Sequence, residues 1–139
     1  MLDFLNDFRF PIHLILHALI PLLISIKSKF SFKVFLLIFG TMMVDFDHLL
    51  ATPLFDSNRC SIGFHPLHSY ALLPLYGLMS IFPFVLTFLP KSAQAFFSKE
   101  VSFTYFGDFK RTTMIFWIGN GLVVHMVLDF FDCIWMRLS

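Results

Sequence analysis

The sequence predicts an all-α fold, an integral-membrane four-helix bundle with one membrane domain spanning residues 1–139. Three observations lead there. Four apolar stretches each come close to the roughly 17–25 residues that cross a bilayer. Charged side chains make up 14% of the chain and hydrophobic ones 58%, whereas soluble domains carry about 25% charged residues. All six histidines sit in short motifs with carboxylates, inside or at the rims of those apolar stretches.

The stretches run over about residues 10–26, 34–51, 69–90 and 112–136. Lipid offers the backbone no hydrogen bonds, so only helices or closed barrels cross it, and these stretches are too long for barrel strands. Asp3 and Asp7 stand where a cleaved signal peptide has positive charge, and no small-residue cleavage site follows, so the first stretch is expected to stay. Pro53 ends the second stretch and favours a disrupted last turn. Gly119-Asn120-Gly121 in the fourth allows close helix packing or a local kink. Between the third and fourth, Phe96, Phe97, Phe103, Tyr105, Phe106 and Phe109 lie among charges. That segment reads either as an amphipathic stretch along the interface or as an aromatic loop at headgroup level.

Lysine and arginine set the orientation. Lys27, Lys29, Lys33, Lys91, Lys99, Lys110 and Arg111 fall on one side, and Arg9, Arg59 and Arg137 on the other. Both termini are therefore expected outside the cytoplasm. Helix alternation then places every histidine motif at the same, non-cytoplasmic face. A net charge of +1 with no basic stripe excludes a nucleic-acid partner, while twenty-one phenylalanines suit contact with the lipid bilayer. An oligomer is left open.

An ionisable residue in hydrocarbon costs roughly 2.5–3.5 kcal/mol on insertion scales, so four unpaired carboxylates would cost on the order of 10 kcal/mol. Divalent metal offsets that cost, with imidazole and carboxylate as its ordinary ligands. His13 and His17 are one turn apart on one helical face, able to share a metal or to hydrogen-bond other helices. Asp45 and His48 share a face at i, i+3, and Asp47 points elsewhere unless the helix is ending. Pro66 keeps His65 extended and suits the first position of a new helix, with His68 on its first turn. His125, Asp129 and Asp132 form one stripe at i, i+4, i+7, and no Lys or Arg inside a span offers them an ion pair. The expected ligands are His13, His17, Asp45, His48, His65, His68, His125 and Asp129. Asp47 or Asp132 would orient a ligand, bridge, or serve as general base. Arg59 is either an anionic-substrate contact or an ordinary headgroup contact. Cys60 and Cys133 fall at the same face without zinc spacing, as a disulfide or as free thiols.

The series His13-x3-His17, Asp45-x-Asp47-His48, His65-x2-His68-Ser69 and His125-x3-Asp129 resembles the bacterial membrane-bound metal-dependent hydrolases of the LexA-regulated inner-membrane type. The stretch Asn58 to Ser69 is similar to that of the family's small four-helix relatives. The resemblance runs from His13 to Cys133, leaving out the connection at residues 91–111. It implies a bacterial inner-membrane hydrolase with a metal site; two or more divalent ions are expected, with zinc first from the histidine–carboxylate mix and manganese or iron as alternatives. The family is distantly similar to zinc-dependent phospholipases C, which implies a phosphoester or other ester of a lipid or lipid-linked substrate. The family often has Arg after the first histidine of the third motif, where this chain has Pro66, so Arg59 would have to take that role. The competing expectations are a protein that transports or handles metal ions, and a metal-stapled scaffold without enzymatic activity.

Overall fold

In a computed structural model, the described residues are 8–28, 32–53, 56, 59–103 and 107–138. Asp3, Asp7, Lys29, Asn58, Tyr105 and Phe106, used above, lie outside them. The chain is mostly helical. Helix α1 covers Arg9–Lys27, and α2 covers Phe32–Gly40 and runs directly into a 3₁₀ segment, Thr41–Leu50. A 3₁₀ turn at Pro66–His68 precedes α3 (Leu73–Ser80), α4 (Phe82–Leu86) and α5 (Lys91–Phe97). A two-stranded antiparallel hairpin, β1 (Glu100–Phe103) and β2 (Gly107–Lys110), leads into α6 (Arg111–Leu138).

Among the described residues, α1 and α6 are long and apolar enough to cross a membrane. The expected third span, 69–90, is not one helix. Pro74 delays its start to Leu73, and Pro83 interrupts it at Ile81, because proline lacks an N–H and restricts the residue before it. The all-α expectation gives way at residues 91–110. They form neither a single amphipathic stretch nor a plain loop, but α5 and the hairpin, with Glu100 opposite Lys110 in register. This unit sits at the opposite end of the molecule from the histidines. Lys33 Nζ lies 5.3 Å from the Phe109 ring centre, and Thr112 Oγ1 donates to Phe97 O at 2.7 Å.

Helix α6 is the hub, packing on α1, α2, α3 and α4. Its Gly119-Asn120-Gly121 makes this possible. A Cβ on Gly119 would collide with the Met79–Ser80 backbone of α3, and one on Gly121 would lie 2.6 Å from Thr41 Oγ1. Between the two glycines, Asn120 Nδ2 donates to Phe116 O at 2.7 Å within the helix and to Ser80 O of α3 at 3.4 Å. Tyr76, Leu122 and Met126 form the small apolar core above this contact.

The 3₁₀ segment is long for its kind, since such runs rarely exceed about four residues. Three residues per turn divide it into three stripes. Met43, Phe46 and Leu49 are all more than 60% exposed, Thr41 and Asp47 are buried, and Met42, Asp45 and His48 form the third. In an α-helix Asp45 and Asp47 would lie about 160° apart around the axis, but here they lie about 120° apart, which places both beside the interior. That winding answers the question the sequence left about Asp47. Across the described residues, the buried set holds eight polar or charged side chains against seven hydrophobic ones, while Phe, Leu and Ile crowd the exterior. This inverts the usual distribution.

Gly119→Val should lower stability by about 1–3 kcal/mol, because α3 backbone cannot yield to the new side chain. Gly40→Ala is its control, since an added Cβ there meets nothing within 4 Å. Thermal unfolding in detergent should show a large drop for the first and none for the second. Equal melting of the two would contradict the close packing.

Candidate metal centre

Four segments deliver the polar groups to one end of the molecule. The α1 helix places His13 and His17 with ring centres 4.1 Å apart. From the 3₁₀ segment come Asp45, Asp47 and His48. Pro66 opens its own short turn, as expected, leaving His65 extended before it and His68 at its end. From α6 come His125 and Asp129, both essentially inaccessible, and Asp132 on the next turn.

Asp129 sits at the centre. Its Oδ1 lies 3.3 Å from His13 Nε2 and 3.5 Å from His17 Nε2. Its Oδ2 lies 2.9 Å from His68 Nε2 and 3.6 Å from His125 Nε2. Asp45 Oδ1 completes the second set, 3.3 Å from His125 Nε2 and 3.5 Å from His68 Nε2. The two sets, His13–His17–Asp129 and Asp45–His68–His125–Asp129, thus share one carboxylate. A third group joins Asp47, His48 and His68.

The hydrogen-bond pattern shows what this cluster accommodates. His17 Nδ1 donates to His13 O at 2.9 Å, His68 Nδ1 to Asp47 Oδ2 at 3.1 Å, and His125 Nδ1 to the Met42 sulfur at 3.2 Å. With the outer nitrogen as donor, a neutral ring presents an Nε2 lone pair inward and a protonated ring an N–H. Those Nε2 atoms face carboxylate oxygens and, for His68 and His125, each other across 2.9 Å, where one of the two donates if no cation intervenes. With neutral rings, acceptors would converge on acceptors. His17 Nε2, His48 Nε2 and both oxygens of Asp129 are buried without a hydrogen bond. Buried unpaired acceptors of this kind cost about 1–3 kcal/mol each, more when charged, and a cation between them removes the cost. The donor set fits divalent metal. Without it a proton serves: burial opposes charge on His68, but Asp129, Asp45 and Asp47 outweigh burial and raise its pKa to about 10.

The remaining expected residues take distinct places. Asp47 lies behind His68, and its Oδ2 also accepts from Leu67 N–H at 2.8 Å, so it orients that imidazole from outside. His65 belongs to none of the three groups. It stacks on His48 at 3.8 Å, and burial together with His48 pushes its pKa down, keeping it neutral. Asp132 Oδ1 lies 3.4 Å from Arg9 Nε and 4.0 Å from His13 Nδ1. Arg59 Nη2 donates to Pro53 O at 2.8 Å, and its guanidinium lies over the Phe64 ring at 4.8 Å.

Two site residues were not singled out in the sequence. Arg9 precedes His13 by one α-helical turn, a spacing that could have pointed to it, whereas Met42 reaches the site through the 3₁₀ winding, which its spacing does not announce. The cysteines are joined: Cys60–Cys133 closes a separation of 73 residues with Cα atoms 5.1 Å apart, tying the loop before His65 to α6 beside Asp132. A closure of that length is worth about 4 kcal/mol in the chain-entropy model.

Asp47→Asn keeps the shape but weakens the grip on His68, and should reduce zinc affinity about 10–100-fold without unfolding the protein. Competitive zinc titration against a chromophoric chelator measures it. Unchanged affinity would mean His68 is not a ligand oriented in this way.

Neither a curated protein nor a solved structure matches the chain. A family model does, over residues 7–89, more than half of the chain. That stretch carries the histidines of α1, the acidic 3₁₀ segment and the His65–His68 turn, and stops before α6. The chain belongs to the DUF6122 family, a family of unknown function.

Proposed function

We propose that this chain is an integral-membrane, metal-dependent hydrolase of the bacterial membrane-bound type, acting on a phosphoester or other ester of a lipid or lipid-linked substrate. The observation that carries the reading is the division of Asp129: one oxygen for His13 and His17, the other for His68 and His125. A carboxylate shared in this way suits two adjacent divalent ions. Zinc is the first candidate for histidine and carboxylate donors, with manganese or iron as alternatives.

Insertion in the membrane is supported by α1 and α6 and by the apolar exterior around a polar interior. Inside the bilayer, α2 and the 3₁₀ segment together measure about 33 Å, enough to cross the hydrocarbon layer. The Cys60–Cys133 disulfide at the histidine end suits an oxidising compartment, and Lys27, Lys33, Lys110 and Arg111 mark the other end. Both favour a site on the outer face of a bacterial inner membrane.

His13, His17, Asp45, His68, His125 and Asp129 would hold the ions, with His48 at the edge of the set. Bound divalent ions supply positive charge for a phosphoryl or carbonyl oxygen and make water a better nucleophile near neutral pH. The chain's own groups do the rest. Asp47 keeps the His68 proton on Nδ1, so that Nε2 stays a donor of electrons. Asp132, partly exposed beside His13 and paired with Arg9, would accept a proton from an entering water. His13, Asp45 and His48 line a cleft of about 290 Å³ that reaches this layer from outside.

Elemental mass spectrometry of detergent-purified protein should find two or more divalent ions per chain, and fewer in His125→Ala. Asp45→Ala should abolish release from a lipid phosphoester while the protein still folds. Full turnover in that variant would refute the mechanism. Saturable zinc uptake into proteoliposomes that depends on His125 would replace hydrolysis with transport, and a single inert ion would indicate a structural staple.

A further inference from the structure

The cleft above the histidines has walls of unequal character. Two arginines line it: Arg9, from the first turn of α1, and Arg59, from the loop that follows the 3₁₀ segment. Both guanidiniums are held in place. Asp132 braces Arg9, while Pro53 O and the Phe64 ring brace Arg59. Bracing matters because a planar fork fixed before binding loses less entropy for each hydrogen bond it makes.

The ligand side chains His13, Asp45 and His48 line it too, with the Asp45 side chain 41% exposed. Part of the wall is apolar. Phe10 and Leu14 line the cleft and are 59% and 60% exposed, so the cleft is continuous with the apolar outer surface of α1. A group in the cleft is therefore offered two guanidiniums, the histidine–carboxylate layer, and an apolar way out over the α1 surface.

We infer that this cleft is the headgroup site for a membrane amphiphile bearing a terminal phosphomonoester, with Arg9 and Arg59 clamping its phosphoryl oxygens and the hydrocarbon tail leaving over Phe10 and Leu14. This rests on the reading of the histidine layer as a metal centre. A terminal phosphate offers three free oxygens and up to two charges, enough for two guanidinium forks with an oxygen left for the layer below, whereas a diester offers two oxygens and one charge. A volume of about 290 Å³ matches a headgroup and leaves no room for its chains, which the apolar wall accommodates instead. Asp56 and Asp132, which also line the cleft, disfavour a second negative headgroup substituent.

The probe is a phosphonate analogue of phosphatidic acid, whose phosphorus–carbon bond does not hydrolyse, so binding is read without turnover. The zinc-loaded full chain is equilibrated in mixed micelles with equal amounts of the analogue, phosphatidylglycerol and phosphatidylcholine, and retained lipid is counted by native mass spectrometry. The analogue should be retained at least about tenfold over either diester, a difference of about 1.4 kcal/mol. Arg9→Gln and Arg59→Gln should each remove most of that preference while zinc per chain stays unchanged, and Lys99→Gln should leave it intact. If Arg9→Gln loses zinc, Arg59→Lys decides, since it keeps the charge and drops the fork; undiminished preference there overturns the clamp. Equal retention of phosphatidylglycerol overturns the monoester, and displacement by an equal concentration of glycerol 3-phosphate overturns the amphiphile. Preference retained, with no phosphate released from phosphatidic acid itself, would uphold the clamp and refute the hydrolase.

Discussion

Everything at the histidine end of this protein is arranged around one buried carboxylate. Asp129 is 1% exposed and is approached by imidazole nitrogens from α1, the Pro66–His68 turn and its own helix, with a second carboxylate, Asp45, close behind. Three of those rings are tied outward through Nδ1, so the inner layer is rich in acceptors and poor in fixed donors. A layer of that kind is not self-consistent without positive charge. The demand for a cation is a property of the packing, and the fold around it explains why the packing persists.

That fold trades apolar bulk for proximity. The glycines of α6 let three neighbours approach its backbone, which brings Thr41 and Met79 into contact with it and sets the depth at which His125 meets His68. The 3₁₀ winding adds what an α-helix could not: three separate faces, one turned outward, one into the core and one onto the site. Tyr76 links core and site, since its hydroxyl donates to Leu67 O at 2.9 Å and so holds the backbone between His65 and His68. Apolar burial is modest throughout, and much of the specificity of the arrangement comes from polar groups that fit only one another.

Some of this was legible in the residues and some was not. The spans at 10–26 and 112–136 became α1 and α6 with ends shifted by one or two residues, because nothing interrupts those apolar runs except the tolerated Pro11 and Pro21. The stretch 69–90 reads as continuous by hydropathy, yet Pro74 and Pro83 break it, and hydropathy does not register a missing N–H. The hairpin was hidden because aromatic residues among charges suit a strand and an interfacial loop equally. At the site, residue type was informative: a histidine or aspartate in an apolar run needs a reason. Contacts made by ordinary residues were invisible. Nothing marks Met42 as a partner for His125 rather than one more apolar residue, and the pairing of Cys60 with Cys133 depends on a distance that no spacing reveals.

The place of α6 after the other ligand-bearing segments has a consequence for how the site is assembled. Residues up to 89 carry the α1 histidines, the acidic 3₁₀ segment and the His65–His68 turn, but the carboxylate that joins them follows them in the chain. Without α6 these segments hold a set of acceptors with no centre. Only with α6 docked do the two sets share an atom, and the same docking brings Cys133 to Cys60. Closing the ligand shell and covalently locking α6 thus depend on one docking, after which that helix cannot drift away from the rest.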